Sequence, residues 1–352
     1  MLTSSVLDLL KKRQLDAILF SSPKQIIYLT SYGGISQTER DAFILATEKK
    51  CYIFTNQLVS AEIKEKIKGA TILEHTRSKP FAKNLADVIK NEKIEKVGFE
   101  SNNLTVTEYL TLTENISSRF ISVDLSTIRV IKSESEIEQI KKACDIAKKA
   151  YNLTCEKIKP GITEKEVASI FEIYILKLGA SLSFPTIVAF GKNAATPHHH
   201  SDETKLKTND IILMDFGAEY NSYCSDITRT FFIGKPLPEQ KKALEVVQTS
   251  QKLAVEFIEN ALKEKNEISA SEVDDIAREY VIEKGYSSIP HSLGHGIGIE
   301  VHEAPSISPA SSDKLSKGMV FSIEPGIYIE GKFGVRIEDL YTISSAKLVK
   351  LT

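Results

Sequence analysis

Along the first third of the chain, short apolar runs rich in β-branched and aromatic residues alternate with stretches whose apolar positions recur at helical spacing. Residues 17–20, 42–46, 52–55, 71–74, 97–99 and 121–123 read as strands, and residues 58–67 and 81–89 as two of the helices between them. Such alternation predicts an α/β lobe, which we assign to residues 1–127.

The pattern then changes. Ser133 followed by Glu136 forms a capping box, and Ile137, Ile140, Cys144, Ala147 and Tyr151 repeat on one helical face. Pro160-Gly161 breaks that helix; Thr163 with Glu166 caps another, which Gly179 ends. Further helical periodicity covers residues 239–261, and a last helix runs from Ser271 to a stop at Gly285. Strand-like runs fall at 211–214, 227–233, 319–323 and 335–343. Residues 128–352 are therefore expected to form a second, α+β lobe, with no fixed-period repeat that would indicate a solenoid.

Composition sharpens the class. A length of 352 residues, 42% hydrophobic and 26% charged, suits two globular lobes rather than one core. The net charge of -2 offers no footprint for nucleic acid or an anionic membrane. Residues 1–20 lack a basic leader with an apolar core, and no later run approaches the length of a membrane span, so a cytoplasmic location is expected. Cys51, Cys144, Cys155 and Cys224 show neither CxxC pairing nor zinc-ligand spacing, which argues against a disulfide framework or thiolate metal site.

The unusual acids lie on or beside the strands of the second lobe. In IILMDFG, at 211–217, a run apolar on both faces ends in Asp215; eleven residues later SDITRTF carries Asp226 into an alternating strand. If the apex near Tyr220-Asn221 is a two-residue turn, the two acids face each other across the hairpin, with Cβ atoms roughly 4.5–5.5 Å apart. Buried like charges need a compensating cation. Either a divalent ion supplies it, or the register is shifted and each acid is solvated or paired with an arginine such as Arg229. A second apolar run, MVFSIEPG, ends in Glu324, and GVRIEDL then puts Arg336 and Glu338 on one face at period two. That pair reads either as a plain ion pair or as an arginine orienting a metal-bound carboxylate.

Of the seven histidines, His291 and His295 sit among glycines in PHSLGHGIG, with His302 close behind. Glycines there let backbone or ligand approach closely. A further run, PHHHS, holds His198, His199 and His200. His198, directly after the proline, is the candidate for chemistry, whereas His199 and His200 read as a surface loop.

In MDFG, SDITRTF, GHGIGIEVHEAP, SIEPGIY and GVRIEDL, the order Asp215, Asp226, His295, Glu324, Glu338 resembles the creatinase, prolidase and methionine aminopeptidase superfamily, the pita-bread fold. The likeness runs from about residue 130 to the end and covers all five family metal positions; the first lobe looks like the N-terminal domain of the aminopeptidase P and prolidase branch. It implies two divalent ions, Asp226 and Glu338 bridging both, Asp215 completing one site, and His295 with Glu324 the other. Four carboxylates and one imidazole balance that charge, and oxygen-rich ligands suit Mn²⁺ first, with Co²⁺ or Zn²⁺ as occupants in vitro. The resemblance further implies that Glu324 takes the proton of the attacking water, that His198, His291 and His302 bind substrate and stabilise the transition state, and that Arg336 and Tyr328 support the site.

The implied activity is that of an Xaa-Pro aminopeptidase acting on a proline-containing peptide. An Xaa-Pro dipeptidase is the alternative, and the implied assembly is a homodimer. Metal-free amidinohydrolases and non-catalytic binding modules also use this fold, but those relatives have lost metal ligands, whereas all five positions are filled here.

Overall fold

The computed structural model describes residues 2–352. The chain divides into two compact units, Met1–Arg129 and Val130–Thr352. The first is built on a six-stranded mixed sheet with spatial order Thr71–Glu74, Cys51–Thr55, Ala42–Thr47, Ala17–Phe20, Lys96–Phe99, Arg119–Ser122. Ala17–Phe20 is central, antiparallel to Ala42–Thr47 and parallel to Lys96–Phe99. Its four residues are all buried, because helices cover the sheet and leave neither face to water. Leu85, Val88 and Ile89 of the helix Phe81–Glu92 and Leu112 of Val106–Asn115 close one face over Ala17, Leu19, Phe43 and Phe54.

The second unit is built mainly on two antiparallel sheets, each backed by a pair of helices, with three smaller sheets of two or three strands beside them. In the first, Ile211–Phe216 lies between Ile187–Phe190 and Ile227–Phe232 and packs against the helices Glu134–Cys155 and Glu164–Lys177. In the second, the order is Glu303–Ile307, Gly294–Gly296, Val320–Ile323, Asp339–Ser344, Lys347–Lys350, with the helices Pro238–Glu264 and Ala270–Glu283 behind it. The capping boxes form as the sequence indicates, at Ser133 with Glu136 and at Thr163 with Glu166. Gly179 and Gly285 follow their helices with φ of +80° and +85°. Among the described residues, no helix is long and apolar enough to cross a membrane.

Two local expectations are corrected. The turn after Ile211–Phe216 is Asn221-Ser222, both at positive φ, with Tyr220 paired to Tyr223. Moving the apex by one residue shifts the register by two. Asp215 therefore pairs with Thr228, and Asp226 becomes its diagonal neighbour on the same face rather than its direct partner. The apolar run at 335–343 is also two strands. Phe333–Arg336 pairs with Gly326–Ile329 in a hairpin, whereas Asp339–Ser344 belongs to the five-stranded sheet. Glu338 lies in the gap between them, its N–H donating to the Thr228 carbonyl.

The turn gives a direct test. Left-handed backbone costs an L-residue about 1–2 kcal/mol, and β-branched side chains tolerate it worst. Ser222→Val is expected to lower the urea midpoint, while Ser222→Gly leaves it unchanged or raises it.

Candidate metal centre

Both sheets of the second unit deliver acids to matching places. Asp215 sits near the end of one buried strand and Asp226 just before its antiparallel partner; Glu324 directly follows Val320–Ile323, and Glu338 directly precedes Asp339–Ser344. With His295, Arg336 and Ser292, all four acids line one cavity of about 400 Å³. Phe184, Pro185, Ile187 and Val301 form its apolar wall, and His198, His291 and His302 also border it.

His295 enters through a close approach of strands. A Cβ at Gly294 would stand 2.0 Å from the Ser322 carbonyl oxygen, and one at Gly296 2.1 Å from that of Ala304, so only glycine fits on either side of the histidine. The Nδ1 atom lies 3.1 Å from the Gly296 carbonyl, to which it donates, leaving Nε2 to face the acids. Nε2 is 3.2 Å from Glu324 Oε1, 3.7 Å from Asp226 Oδ2 and 3.8 Å from Glu338 Oε1. Ser322 links the two strand ends, accepting from the His295 N–H and donating to Glu324 Oε1.

Arg336 is the main cation. Its NH2 donates to Asp215 Oδ2 at 2.6 Å, Nε to the Thr228 hydroxyl at 3.0 Å and NH1 to the Tyr328 hydroxyl at 2.8 Å. Thr228 in turn donates to Glu338 Oε2 at 2.8 Å, so Arg336 reaches Glu338 through Thr228 and does not pair with it directly. Arg229 takes another course, bonding the Glu338 carbonyl and the Asp339 carboxylate. Neither Asp215 nor Asp226 uses it. Thr228 and Ser322 are contacts the sequence pattern does not single out; only Thr228 carries a signal there, two residues from Asp226 on the same face.

After these bonds, three buried carboxylate oxygens still lack a partner: Asp215 Oδ1, Asp226 Oδ1 and Glu338 Oε1. Asp226, His295 and Glu338 also offer ligand atoms that all lie within 4.8 Å of one another. Unpaired anionic oxygens in a buried site are costly unless a cation meets them, and a hard divalent ion fits such donors. Residues 138–345 match metallopeptidase family M24, and residues 3–131 match the creatinase/prolidase N-terminal domain. The chain belongs to metallopeptidase family M24.

It is 36% identical over 330 residues to an uncharacterized peptidase of Bacillus subtilis, covering 92% of this chain and 90% of that one. Among solved structures it is similar to an Xaa-Pro dipeptidase from Bacillus anthracis, with TM-score 0.90 and 33% identity over 99% of this chain and 96% of the other. It is likewise similar to an X-Pro aminopeptidase from Thermotoga maritima, with TM-score 0.86 and 33% identity over 96% of each chain. The M24 unit has the pita-bread fold and follows an α/β N-terminal domain in the sequence, and enzymes of the family are hydrolases that use divalent metals.

Electrostatics of this M24 site follow from crowding. Burial first, then the charges of Glu338, Asp215 and Glu324, raises the Asp226 carboxyl well above its ordinary value. Burial and then Glu324 and Asp215 do the same to Glu338. Burial also works against ionisation of Glu324, but its hydrogen bond to His295 and the charges of His295, His291 and Arg336 outweigh it and hold the carboxyl at about 2. At His295 desolvation is outweighed by the hydrogen bond to Glu324 and by the charges of Glu324 and Glu338, which raise it to about 9.

The bordering histidines are placed differently. His291 accepts from the Tyr328 hydroxyl at Nε2 (3.0 Å) and donates from Nδ1 to the Ser292 carbonyl (2.8 Å), so both ring nitrogens are engaged. Burial lowers its pKa, and burial with the His295 charge lowers that of His302, leaving both rings neutral at pH 7. The His302 ring lies against that of His295, tilted by 54° with centroids 4.2 Å apart, and His198 is exposed at the cavity edge. His199 departs from a plain surface loop: it is bonded to the buried Glu164.

Two measurements probe the centre. Thr228→Val removes the hydroxyl that connects Arg336 to Glu338, and calorimetric titration is expected to show divalent-metal affinity lowered about 10–100-fold. The second concerns pH. In the folded, metal-free protein Asp226 and Glu338 keep protons at pH values where the unfolded chain has released them, so their contribution to stability is present at low pH and lost as pH rises through their raised pKa values. A divalent ion replaces those protons and also requires neutral His295. The rise in Tm on adding Mn²⁺ to chelator-stripped protein should therefore be larger at about pH 8 than at about pH 6. An equal or smaller rise at the higher pH would count against these ligands.

Proposed function

We propose that the protein is an exopeptidase that hydrolyses the bond between an N-terminal residue and proline, using two divalent ions, Mn²⁺ foremost, held by Asp215, Asp226, His295, Glu324 and Glu338. The observation that carries this reading is the set of three partnerless carboxylate oxygens, of Asp215, Asp226 and Glu338, in the cavity that His295 also lines. When bound, the ions supply Lewis acidity toward the scissile carbonyl and increase the acidity of the attacking water.

The chain's own groups do the rest. Glu324, ionised throughout the neutral range, accepts the proton from water and passes it to the departing proline nitrogen. Asp226 and Glu338 would be among the residues that hold the ions, and Arg336 fixes Asp215 directly and Glu338 through Thr228. His302 and His198 stand at the cavity edge, where ring N–H groups aimed at the scissile carbonyl would stabilise developing charge. Tyr328 ties His291 to Arg336 and keeps that side of the cavity in register. A bond to proline has no N–H to recognise, so selection falls on ring shape. The wall of Phe184, Pro185, Ile187 and Val301 offers the apolar surface for it.

Sequence considerations put an aminopeptidase first. The somewhat greater structural likeness to the dipeptidase favours the dipeptide as substrate, with the aminopeptidase as second reading. Purified, Mn²⁺-loaded protein should cleave Ala-Pro and spare Ala-Pro-Ala; release of alanine from the tripeptide would reverse the order, and failure on both would refute Xaa-Pro hydrolysis. Glu324→Gln should lower kcat/KM at least about 10²–10⁴-fold while circular dichroism shows an intact fold.

A further inference from the structure

Glu164 opens the helix Glu164–Lys177 and is fully buried, at 0% exposure. Its Oε1 accepts from the Phe190 N–H at 2.7 Å and the Asn193 side-chain amide at 3.0 Å. Its Oε2 accepts from His199 Nε2 at 2.7 Å and the Asp202 N–H at 3.0 Å. Glu164, His199 and Asp202 have the spacing of a cation site. A carboxylate offers about four lone-pair positions, however, and four N–H donors fill them. The cluster is a clamp, and the helix N-terminus adds a favourable dipole for its charge.

What it clamps is the connection from Ile187–Phe190 to Asp202, which carries His198 to the cavity. The connection is stapled at its base by Ser201, which accepts from the Val188 N–H and donates to the Thr186 carbonyl. On one side of His198, the Pro197 carbonyl accepts from Arg336 NH1 at 3.4 Å. On the other, the His199 ring is held by Glu164. His198 is thus fixed from both neighbours, one tied to the centre's arginine and one to a carboxylate outside the centre.

We propose that Glu164 and His199 are positioning residues for the hydrolysis, setting the place of His198 against the bound peptide. This rests on the exopeptidase reading. Misplacement of a group by about 1 Å can cost on the order of 10²-fold in rate, so loosening one tether should be read mainly in kcat/KM.

The test compares His199→Leu, which removes the donor, with His199→Gln, whose amide can still reach Glu164. His199→Asn, too short to reach, replaces the leucine variant if that protein does not fold. With Ala-Pro as substrate, His199→Leu should lower kcat/KM about 10–100-fold and His199→Gln should recover most of it. In a His198→Ala background the leucine substitution should have no further effect, because its action runs through His198. Amide hydrogen exchange, which needs no activity, should show faster exchange across residues 187–203 in the leucine variant and not in the glutamine variant. Unchanged exchange would overturn the clamp. Faster exchange with unaltered kcat/KM, or a full loss that persists in the His198→Ala background, would overturn the positioning role. If the wild-type protein cleaves no Xaa-Pro peptide, the exopeptidase reading fails, while the exchange data still judge the clamp.

Discussion

Mutual repulsion among four carboxylates in one small cavity is the constraint around which the second unit is organised. Only one of them, Asp215, has a direct guanidinium partner, and that arginine is itself buried and shared with Thr228 and Tyr328. Removing ions from water costs several kcal/mol each unless geometry and added hydrogen bonds compensate. The protein answers with a hydroxyl for Glu338, another hydroxyl and an imidazole for Glu324, and nothing for three inward oxygens. Charge left open in this way is a binding site for a cation. The neighbouring bonds are what hold the acids in place while it is open.

Much of this was visible in the one-dimensional pattern. Apolar runs ending abruptly in Asp215 and Glu324 mark buried strands with an acid at the end, and the glycines flanking His295 mark a close backbone approach that the structure realises at 2.0 Å and 2.1 Å. The helix caps at Ser133 and Thr163 are equally local, each needing only a residue three positions away. Features fixed by neighbouring residues in sequence are the ones a sequence displays.

What stayed hidden depended on distant partners or on a choice between near-equal local options. Asn221-Ser222 contains no glycine to announce a left-handed turn, and a one-residue error there displaced Asp226 from beside Asp215 to the diagonal. Residues 335–343 are strand-forming throughout, so nothing in their propensity shows that the chain changes sheets at Glu338. The Glu164–His199 bond joins residues 35 apart, and a histidine among three in a row carries no mark of which one turns inward. Arg229 and Arg336 likewise each had a plausible acid nearby, and burial, not spacing, decided their partners.

The placement of Glu338 in the gap between the hairpin and the five-stranded sheet has a mechanical side. Its neighbour Arg336 ends one sheet element and Asp339 begins another, while Thr228 of the three-stranded sheet holds its side chain and its N–H. Three separately hydrogen-bonded bodies thus meet at one residue. An ion held there would act as a rivet through all three, so wear at any of the sheets, however far from the cavity, would be felt as play in that joint.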